Sequence, residues 1–236
     1  MKIALIGYGK MGREIEAAAK AQGETIACVF DSKNRVTPDA LREVDVCIEF
    51  STPLSAPANI LAAVDAGKDV VVGTTGWQHE LPGLRQRVQD SGLLHSANFS
   101  LGMNIFQRIV ARAAELVQNA GDYDPFIHEA HHRQKADSPS GTALTLADIL
   151  LARLERKTQV LSETAHGRID PASLHVSSTR AGYITGTHTV GFDSEADLIE
   201  LKHMARNRRG FALGALVAAR WLRGRKGIYT MEDVEL

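Results

Sequence analysis

Short apolar segments alternate with helical patterns through the first hundred residues. Residues 1–6 are short and apolar, which predicts a buried parallel strand, and a second strand is predicted over residues 25–30. Ile15, Ala18 and Ala19 recur between them at helical spacing. Further strands are predicted over residues 44–50, 69–72 and 93–95, and further helices over residues 55–66 and 81–88. This order predicts an α/β fold, a Rossmann-type doubly wound parallel sheet.

The pattern changes after Gly102. A long apolar-periodic helix is predicted over residues 103–117, a strand begins at Phe126, and another helix follows residue 140. Strand patterns over residues 174–179, 183–190 and 198–204 are joined by turns rather than helices, which predicts a smaller α+β domain with a mixed sheet. A last helix over residues 210–222 is predicted to return to the first domain. The predicted domains are residues 1–100 with 210–236, and residues 101–209.

A glycine-rich turn separates the first predicted strand from the first helix. It consists of Gly7, Tyr8, Gly9, Lys10, Met11 and Gly12. Glycines in this G-x-G-x-x-G pattern let the backbone approach a pyrophosphate at the helix N-terminus, and Asp31 at the end of the second strand can accept a hydrogen bond from a ribose hydroxyl. Asp31 favours NAD, whereas Lys33 and Arg35 could offset its charge. The sequence therefore predicts binding of NADH, NADPH or both.

Three further loops follow predicted strands at their carboxyl ends. In an open parallel sheet the ligand lies across these ends, so the loops are predicted to meet the ribose and the nicotinamide. The first loop contains Ser51 and Thr52; the others contain Gly73, Thr74 and Thr75, and Ser96, Ala97, Asn98 and Phe99.

The stretch from residue 128 to residue 143 concentrates groups that can transfer protons. His131, His132 and Lys135 can donate or accept protons near neutral pH. Gly141 and Thr142 open the next predicted helix, whose first backbone N–H groups could hold a carboxylate. The stretch is interpreted as an acid/base group beside a carboxylate-binding helix start.

Two other interpretations of this stretch remain. The first is a solvated charged loop. The second is a zinc protease, because residues 128–132 match H-E-x-x-H, in which a helix places two histidines one turn apart. Pro125 and Pro139 and the strand-like residues before His128 leave little room for that helix. No metal site is therefore predicted.

Composition restricts the partners and the compartment. The chain has 236 residues and a net charge of -1, which offers no global attraction to nucleic acid or to an anionic membrane. Cys28 and Cys47 lie in apolar segments, where buried free thiols are expected, and this favours the cytoplasm. No apolar segment reaches the roughly 20 residues that a transmembrane helix requires. A small-molecule partner is predicted.

The glycine-rich turn, Gly73-Thr74-Thr75-Gly76, Ala97-Asn98-Phe99-Ser100 and residues 129–143 together resemble the 4-hydroxy-tetrahydrodipicolinate reductase family. The family pattern E-x-H-H-x-x-K-x-D-x-P-S-G-T-A is present in order and without gaps, and the likeness covers nearly the whole chain. The resemblance implies a Rossmann domain that binds NAD(P)H, a substrate domain, and a homotetramer formed through the sheets of the substrate domain. It implies reduction of a cyclic dicarboxylate, with loss of water, to tetrahydrodipicolinate in the diaminopimelate route to lysine.

The resemblance also assigns roles to residues. It implies that His131 is the general acid/base, that Lys135 donates a proton, that His132 contacts the substrate, and that Gly141 and Thr142 bind a substrate carboxylate. The cofactor contacts that it implies are the glycine-rich turn, Asp31 and the loops at residues 73–75 and 96–99.

The chain departs from the family pattern at three places. The glycine-rich turn is one residue shorter than G-x-x-G-x-M-G, the loop after Asp31 is short, and Ser138 stands where alanine is expected. The first two changes affect the cofactor side and leave the preference between NADH and NADPH open. Two rival functions are a non-catalytic dinucleotide sensor, which would have no use for His131 and Lys135, and a reductase of another cyclic imine or carbonyl compound.

Overall fold

The computed structural model describes all 236 residues and divides into two compact units. The first contains Met1–Asn104 and Arg208–Leu236, and the second contains Ile105–Asn207. These bounds differ by a few residues from those predicted, because the helix Leu101–Gln118 contains the first boundary.

The first unit is built on a six-stranded sheet in the order β11-β5-β4-β3-β1-β2, and all its strand pairs are parallel. The strands are β1 Lys2–Ile6, β2 Thr25–Phe30, β3 Val46–Glu49, β4 Asp69–Val72, β5 Gly92–His95 and β11 Gly227–Tyr229. No local pattern predicts β11, because three residues that include a glycine show no periodicity.

Helices cover both faces of this sheet because successive side chains of each strand point to opposite faces. Ile3 and Leu5 of β1 belong to one core cluster, whereas Ala4 and Ile6 belong to the other. The helices of this unit are α1 Lys10–Ala21, α2 Ala56–Asp65, α3 Leu81–Arg85 and α6 Arg209–Leu222. Helix α6 packs with α1 against the first cluster, so it returns to this unit as predicted. The doubly wound α/β fold is confirmed.

The second unit contains a five-stranded mixed sheet in the order β10-β9-β6-β8-β7. Its strands are β6 Asp124–His131, β7 Gln159–Leu161, β8 Ser173–Arg180, β9 Thr187–Asp193 and β10 Leu198–Met204, and its helices are α4 Leu101–Gln118 and α5 Gly141–Leu151. Strand β6 lies at the centre, parallel to β8 and antiparallel to β9. Helix α5 packs against β6 and β8. Strand β7 is not predicted from the sequence, because three residues are too few to show a strand pattern.

Two predicted elements are shorter than expected. The helix predicted over residues 81–88 ends at Arg85. The strand predicted to start at Tyr183 begins only at Thr187, because Gly182 and Gly186 have φ angles of +47° and +133°, which a strand does not use. Tyr183 therefore lies in a turn and is 87% exposed. None of the helices has the length and apolar character that crossing a membrane requires.

Candidate active site

The alternation of side chains along β6 selects the residues that form the site. Ile127, Glu129 and His131 point to the buried face of the second sheet, whereas His128 and Ala130 point to the other face. His128 uses its Nδ1 to contact Ser177 Oγ at 3.0 Å. The zinc-protease interpretation is wrong, because it requires residues 128–132 to form a helix and they form the end of a strand.

The register of the sheet brings residues far apart in the chain onto this face. Glu129 on β6 is paired with Ser178 on β8 and with His188 on β9. His131 is paired with Arg180 on β8. Cross-strand neighbours in register share a face, so these five residues lie side by side.

Glu129 is the anionic centre of this group and is fully buried. Its Oε1 accepts hydrogen bonds from the Ser140 backbone N–H at 3.0 Å, from Ser178 Oγ at 2.7 Å and from Arg180 Nη2 at 2.6 Å. Burial alone would raise the pKa of Glu129, but the hydrogen bonds from Ser140, Arg180 and Ser178 outweigh burial and lower it to about 2. The carboxylate is therefore ionised at neutral pH.

His131 lies directly beside this carboxylate. Its Nδ1 is 2.8 Å from Glu129 Oε2, and its side chain is 11% exposed. The ring N–H is not aligned with Oε2, so neither atom has a hydrogen-bond partner. Desolvation lowers the pKa of His131, and the Glu129 charge opposes that effect. The imidazole is therefore neutral near pH 7 and retains one unprotonated nitrogen.

His188 completes the buried wall of the site. Its ring meets the ring of His131 edge to face, with centroids 5.1 Å apart and an interplanar angle of 73°. Its Nε2 lies 3.3 Å from Ser140 Oγ and 3.7 Å from Glu129 Oε2. Burial, the largest effect, lowers the pKa of His188 to about 4, so this side chain is neutral at physiological pH.

The same three side chains are a possible set of metal ligands. One ligand atom from each of Glu129, His131 and His188 lies within 4.8 Å of the others. However, the Arg180 guanidinium already binds Glu129, and the Lys135 ammonium lowers the pKa of His131 and of His188 through its charge. Arg180 already neutralises the Glu129 charge, and the positive charge of Lys135 further disfavours a metal ion at this position.

Lys135 and the start of α5 lie at the rim of the site. Lys135 Nζ is 2.7 Å from Asp137 Oδ1. The Lys135 ammonium and the Gly141 N–H both bond the Asp137 carboxyl and hold its pKa below its usual range. The Lys135 ammonium thus already holds one carboxylate beside the start of α5. Gly141 is exposed, and Thr142 and His132 are half-buried.

In the first unit the glycine-rich turn has the shape of a phosphate-binding loop. Gly7 has a φ of +93°, and a Cβ there would lie 2.2 Å from the carbonyl oxygen of Phe50. A Cβ on Gly12 would lie 2.3 Å from the carbonyl oxygen of Gly7. A Cβ on Gly9 would meet no atom within 4 Å, which leaves open space in front of the N-terminus of α1. No side chain caps that helix, so its first N–H groups suit a pyrophosphate.

Other predicted cofactor residues surround this turn. The Tyr8 hydroxyl bonds the Glu16 carboxylate. Lys10 is exposed and Met11 is half-buried in the first turn of α1. Asp31 is exposed after β2, and its Oδ1 accepts a hydrogen bond from the Lys33 N–H at 2.8 Å. The carboxylate of Asp31 thus stabilises the short loop through this hydrogen bond, and it remains exposed to solvent.

The loops after β3, β4 and β5 lie at one edge of the parallel sheet, as predicted. Thr74 is buried, and its Oγ1 accepts a hydrogen bond from the Ser51 N–H at 2.8 Å. Phe99 is also buried, with its ring centroid 5.8 Å from that of Phe50. These two side chains therefore stabilise the loops and can meet a ligand only through their backbone. The remaining predicted positions are half-buried (Gly73, Ser96, Asn98) or exposed (Thr75, Ala97).

Four residues that the structure places at these sites have no role predicted from the sequence. Three are Ser178, Arg180 and His188, which surround Glu129. The fourth is Glu49, which is fully buried at the end of β3; burial raises its pKa, although Ser51, Thr74 and Asn59 bond it. The motif shows that Glu129 is present, but no local pattern reveals its partners on β8 and β9.

Comparison with known proteins agrees with these two units. Residues 1–99 match the family described as dihydrodipicolinate reductase, N-terminus, and residues 102–234 match dihydrodipicolinate reductase, C-terminus. A 4-hydroxy-tetrahydrodipicolinate reductase of Christiangramia forsetii is 41% identical over 239 residues, covering 99% of this chain and 97% of that protein. A protein of the same name from Archaeoglobus fulgidus is 37% identical over 258 residues, covering 99% of each chain.

A solved structure is similar in fold. It is the dipicolinate-bound dihydrodipicolinate reductase from Paenisporosarcina sp. TG-14, with a TM-score of 0.75 and 21% identity, covering 98% of this chain and 97% of that one. Both halves of the chain match one family, and its relatives are similar over nearly their full length. The chain therefore belongs to the dihydrodipicolinate reductase family, NAD(P)H-dependent oxidoreductases of the diaminopimelate route to lysine.

Proposed function

We propose that His131 and Lys135 carry the proton transfers by which this enzyme reduces 4-hydroxy-tetrahydrodipicolinate to tetrahydrodipicolinate. The observation that supports this most directly is the neutral, largely buried His131 ring beside an ionised carboxylate, with an ammonium group at the rim. Such a ring can accept or donate a proton near neutral pH.

The first unit holds the dinucleotide in this proposal. The glycine-rich turn and the start of α1 bind the pyrophosphate, Asp31 binds the adenosine ribose, and the loops at residues 73–75 and 96–99 hold the nicotinamide ribose. NAD(P)H supplies a hydride. Lys33 and Arg35 are exposed beside Asp31, so both NADH and NADPH are expected to support turnover.

The second unit holds the substrate. Its carboxylates need cationic and N–H partners, which Lys135, His132 and the Gly141–Thr142 helix start supply. Loss of the substrate hydroxyl as water requires an acid, and hydride addition to the conjugated imine leaves an electron-rich enamine that must be protonated on carbon. We assign these protons to His131 and Lys135.

We further propose that the enzyme is a cytoplasmic homotetramer assembled through the sheet of the second unit. Cys28 and Cys47 are free thiols, as in a reducing compartment. Strand β10 is the edge of that sheet, and it exposes Leu198, Ile199 and Met204. An exposed apolar edge strand suits association with another copy of the chain.

The test is oxidation of NADH and of NADPH with substrate made freshly by the preceding synthase from pyruvate and aspartate semialdehyde. Lys135→Ala is expected to lower kcat by about 100-fold or more, with NADH affinity unchanged, because a general acid contributes roughly that much. His131→Ala is expected to do the same. Lys226→Ala, which removes an exposed lysine paired with Asp90, is the matched control. Near-normal turnover by Lys135→Ala would refute its role, and no turnover by the folded wild type would refute the proposed substrate.

A further inference from the structure

We propose that Glu129 is a positioning residue that directs Nδ1 of His131 inward, so that Nε2 is the atom that exchanges protons with the substrate. This inference rests on the proposed role of His131. It assigns a role to the residue that contacts His131 from the buried side. Its basis is the arrangement of β6, β8 and β9 around one fully buried carboxylate.

The carboxylate of Glu129 cannot easily turn. Three donors converge on Oε1, from the Ser140 backbone N–H, the Ser178 hydroxyl and the Arg180 guanidinium, at 2.6 to 3.0 Å. They come from two separate parts of the fold: the N-cap of α5, and two positions of β8. Because all three hold Oε1, the other oxygen is fixed in place towards His131.

Oε2 of Glu129 has no hydrogen-bond donor of its own, and Nδ1 of His131 has no acceptor. The two atoms are 2.8 Å apart and both are buried. A lone pair on Nδ1 would face a carboxylate lone pair, which is repulsive, so the proton of the neutral ring belongs on Nδ1. A small rotation of the His131 ring about χ2, a soft torsion, aligns this N–H with Oε2. The free lone pair then lies on Nε2.

The surroundings of Nε2 agree with a reacting atom. A Cβ built on Gly186 would lie 3.2 Å from Nε2, so the glycine is what keeps that side of the ring open. His188 packs edge to face on the ring, and it is neutral, so it shields the Glu129–His131 contact without competing for its proton. When Nε2 gains a proton, the imidazolium remains beside the Glu129 anion.

Charged and titratable groups from each neighbouring element act on His131. Glu129 lies on β6, Arg180 on β8 and His188 on β9, and Lys135 and Asp137 lie in the loop before α5. Glu129 and Asp137 raise the pKa of His131, whereas Lys135 and Arg180 lower it. Loss of the Glu129 charge must therefore lower that pKa.

The first experiment uses the unmodified enzyme. The ¹⁵N chemical shifts of the histidine rings, measured by long-range ¹H–¹⁵N correlation, report which ring nitrogen carries the proton. The assignment comes from the signal that disappears in His131→Ala. The expected result is a neutral ring protonated at Nδ1. A ring protonated at Nε2 would overturn the proposal.

The second experiment compares Glu129→Gln with Asp124→Asn. Both remove one carboxylate from β6, and Asp124 is an exposed residue that pairs with the buried Lys157, so the two variants match in strand and in charge. Glu129→Gln is expected to lower kcat/KM at least about 10-fold, mainly through kcat, and to move the His131-dependent limb of the pH profile to lower pH. Asp124→Asn is expected to lower thermal stability and to leave the pH profile in place.

The outcomes separate this inference from the proposed function. If the wild type is active, His131→Ala is inactive and Glu129→Gln keeps the wild-type pH profile and ring shifts, the positioning role is overturned and the function stands. If His131→Ala retains normal turnover, the proposed function fails, and the tautomer measurement still decides whether Glu129 orients the ring. A fall in stability for Glu129→Gln with no movement of the pH profile would show a structural role only.

Discussion

Two histidines on neighbouring strands show how the surroundings of a side chain determine its pKa. His131 and His188 carry the same side chain and touch each other edge to face. His188 is more deeply buried, which lowers its pKa to about 4, whereas His131 has Glu129 against its Nδ1 and reaches the surface with part of its ring. One ring is therefore suited to proton exchange near neutral pH, and the other is suited to packing.

Gly186 is the residue whose replacement tests the space around His131 most directly. A Cβ there would press on Nε2 at 3.2 Å, and the φ of +133° is unfavourable for any L side chain. Gly186→Ala is expected to lower kcat about 10-fold or more through displacement of the ring, and to lower stability by about 1 kcal/mol or more. Steady-state kinetics and thermal unfolding measure both effects.

The control for this change is Gly121→Ala in the same unit. A Cβ on Gly121 would meet no atom within 4 Å, and its backbone conformation is open to other residues. It is expected to retain wild-type kcat. Equal kinetics for Gly186→Ala and the wild type would contradict the close approach to Nε2.

The pH dependence of stability follows from His188. Its folded-state pKa of about 4 lies below the value of 6.5 for a free histidine, so the unfolded chain binds the proton more readily. The contribution of neutral His188 to the free energy of unfolding is complete above pH 6.5. It decreases by roughly 3 kcal/mol as the pH falls towards about 4. His188→Asn is expected to lose less stability over that range, as measured by thermal unfolding against pH.

His166→Asn is the matched comparison for this measurement, because His166 is exposed in the same unit. Its unfolding temperature should follow the wild type at each pH. If the difference between His188→Asn and the wild type is constant with pH, the titration of His188 does not contribute.

At the scale of elements, β6 and α5 connect the exposed start of α5 to the buried carboxylate of Glu129. Alternation along β6 places Glu129 and His131 on the face that α5 covers. Ser140 ends the connecting loop and caps α5, with its Oγ accepting a hydrogen bond from the Ala143 N–H at 3.2 Å. Its own backbone N–H donates to Glu129. One residue therefore joins the helix start to the buried carboxylate.

Removal of the Ser140 hydroxyl tests how much this N-cap stabilises the start of α5. Ser140→Ala is expected to cost about 1 kcal/mol of stability, because one N–H of the first turn loses its partner. Thr145→Ala in the same helix is the control, since Thr145 Oγ1 only bonds the Gly141 carbonyl within the helix and alanine is a better helix former. Chemical denaturation would measure both, and equal stabilities would contradict the capping role.

At the scale of the whole molecule, the proposed tetramer follows from what the second sheet leaves exposed. Ile199 and Leu198 are 41% and 49% exposed on the edge strand β10. Light scattering is expected to give a mass about four times the 25.6 kDa of one chain. Ile199→Asp is expected to give a smaller species, because a charge would be buried in the contact.

The matched control for the tetramer is Ile169→Asp, which changes an isoleucine of similar exposure outside the sheet. It should keep the wild-type mass. A wild-type enzyme with the mass of one chain would refute the tetramer.

Local patterns in the sequence determined much of this protein. Short apolar segments and helical periodicity predicted most of the doubly wound sheet, since its central strands are apolar on both faces. The order of Gly7, Gly9 and Gly12 predicted the glycine-rich turn, and at Gly7 and Gly12 only glycine allows backbone atoms to approach so closely. The positions of His131 and Lys135 in one short stretch made proton chemistry predictable. Each of these signals acts over a few residues.

Only the tertiary structure decided how that chemistry is arranged. Arg180 and Glu129 are 51 residues apart in the chain, and they meet because β6 and β8 pair in one particular register. His188 meets Glu129 through the antiparallel pairing of β6 with β9. Register depends on how the buried faces of all the strands pack together, so it has no local pattern in the sequence. The sequence supplied the reactive groups, and the pairing of β6 with β8 and β9 decided which distant side chains surround Glu129 and His131.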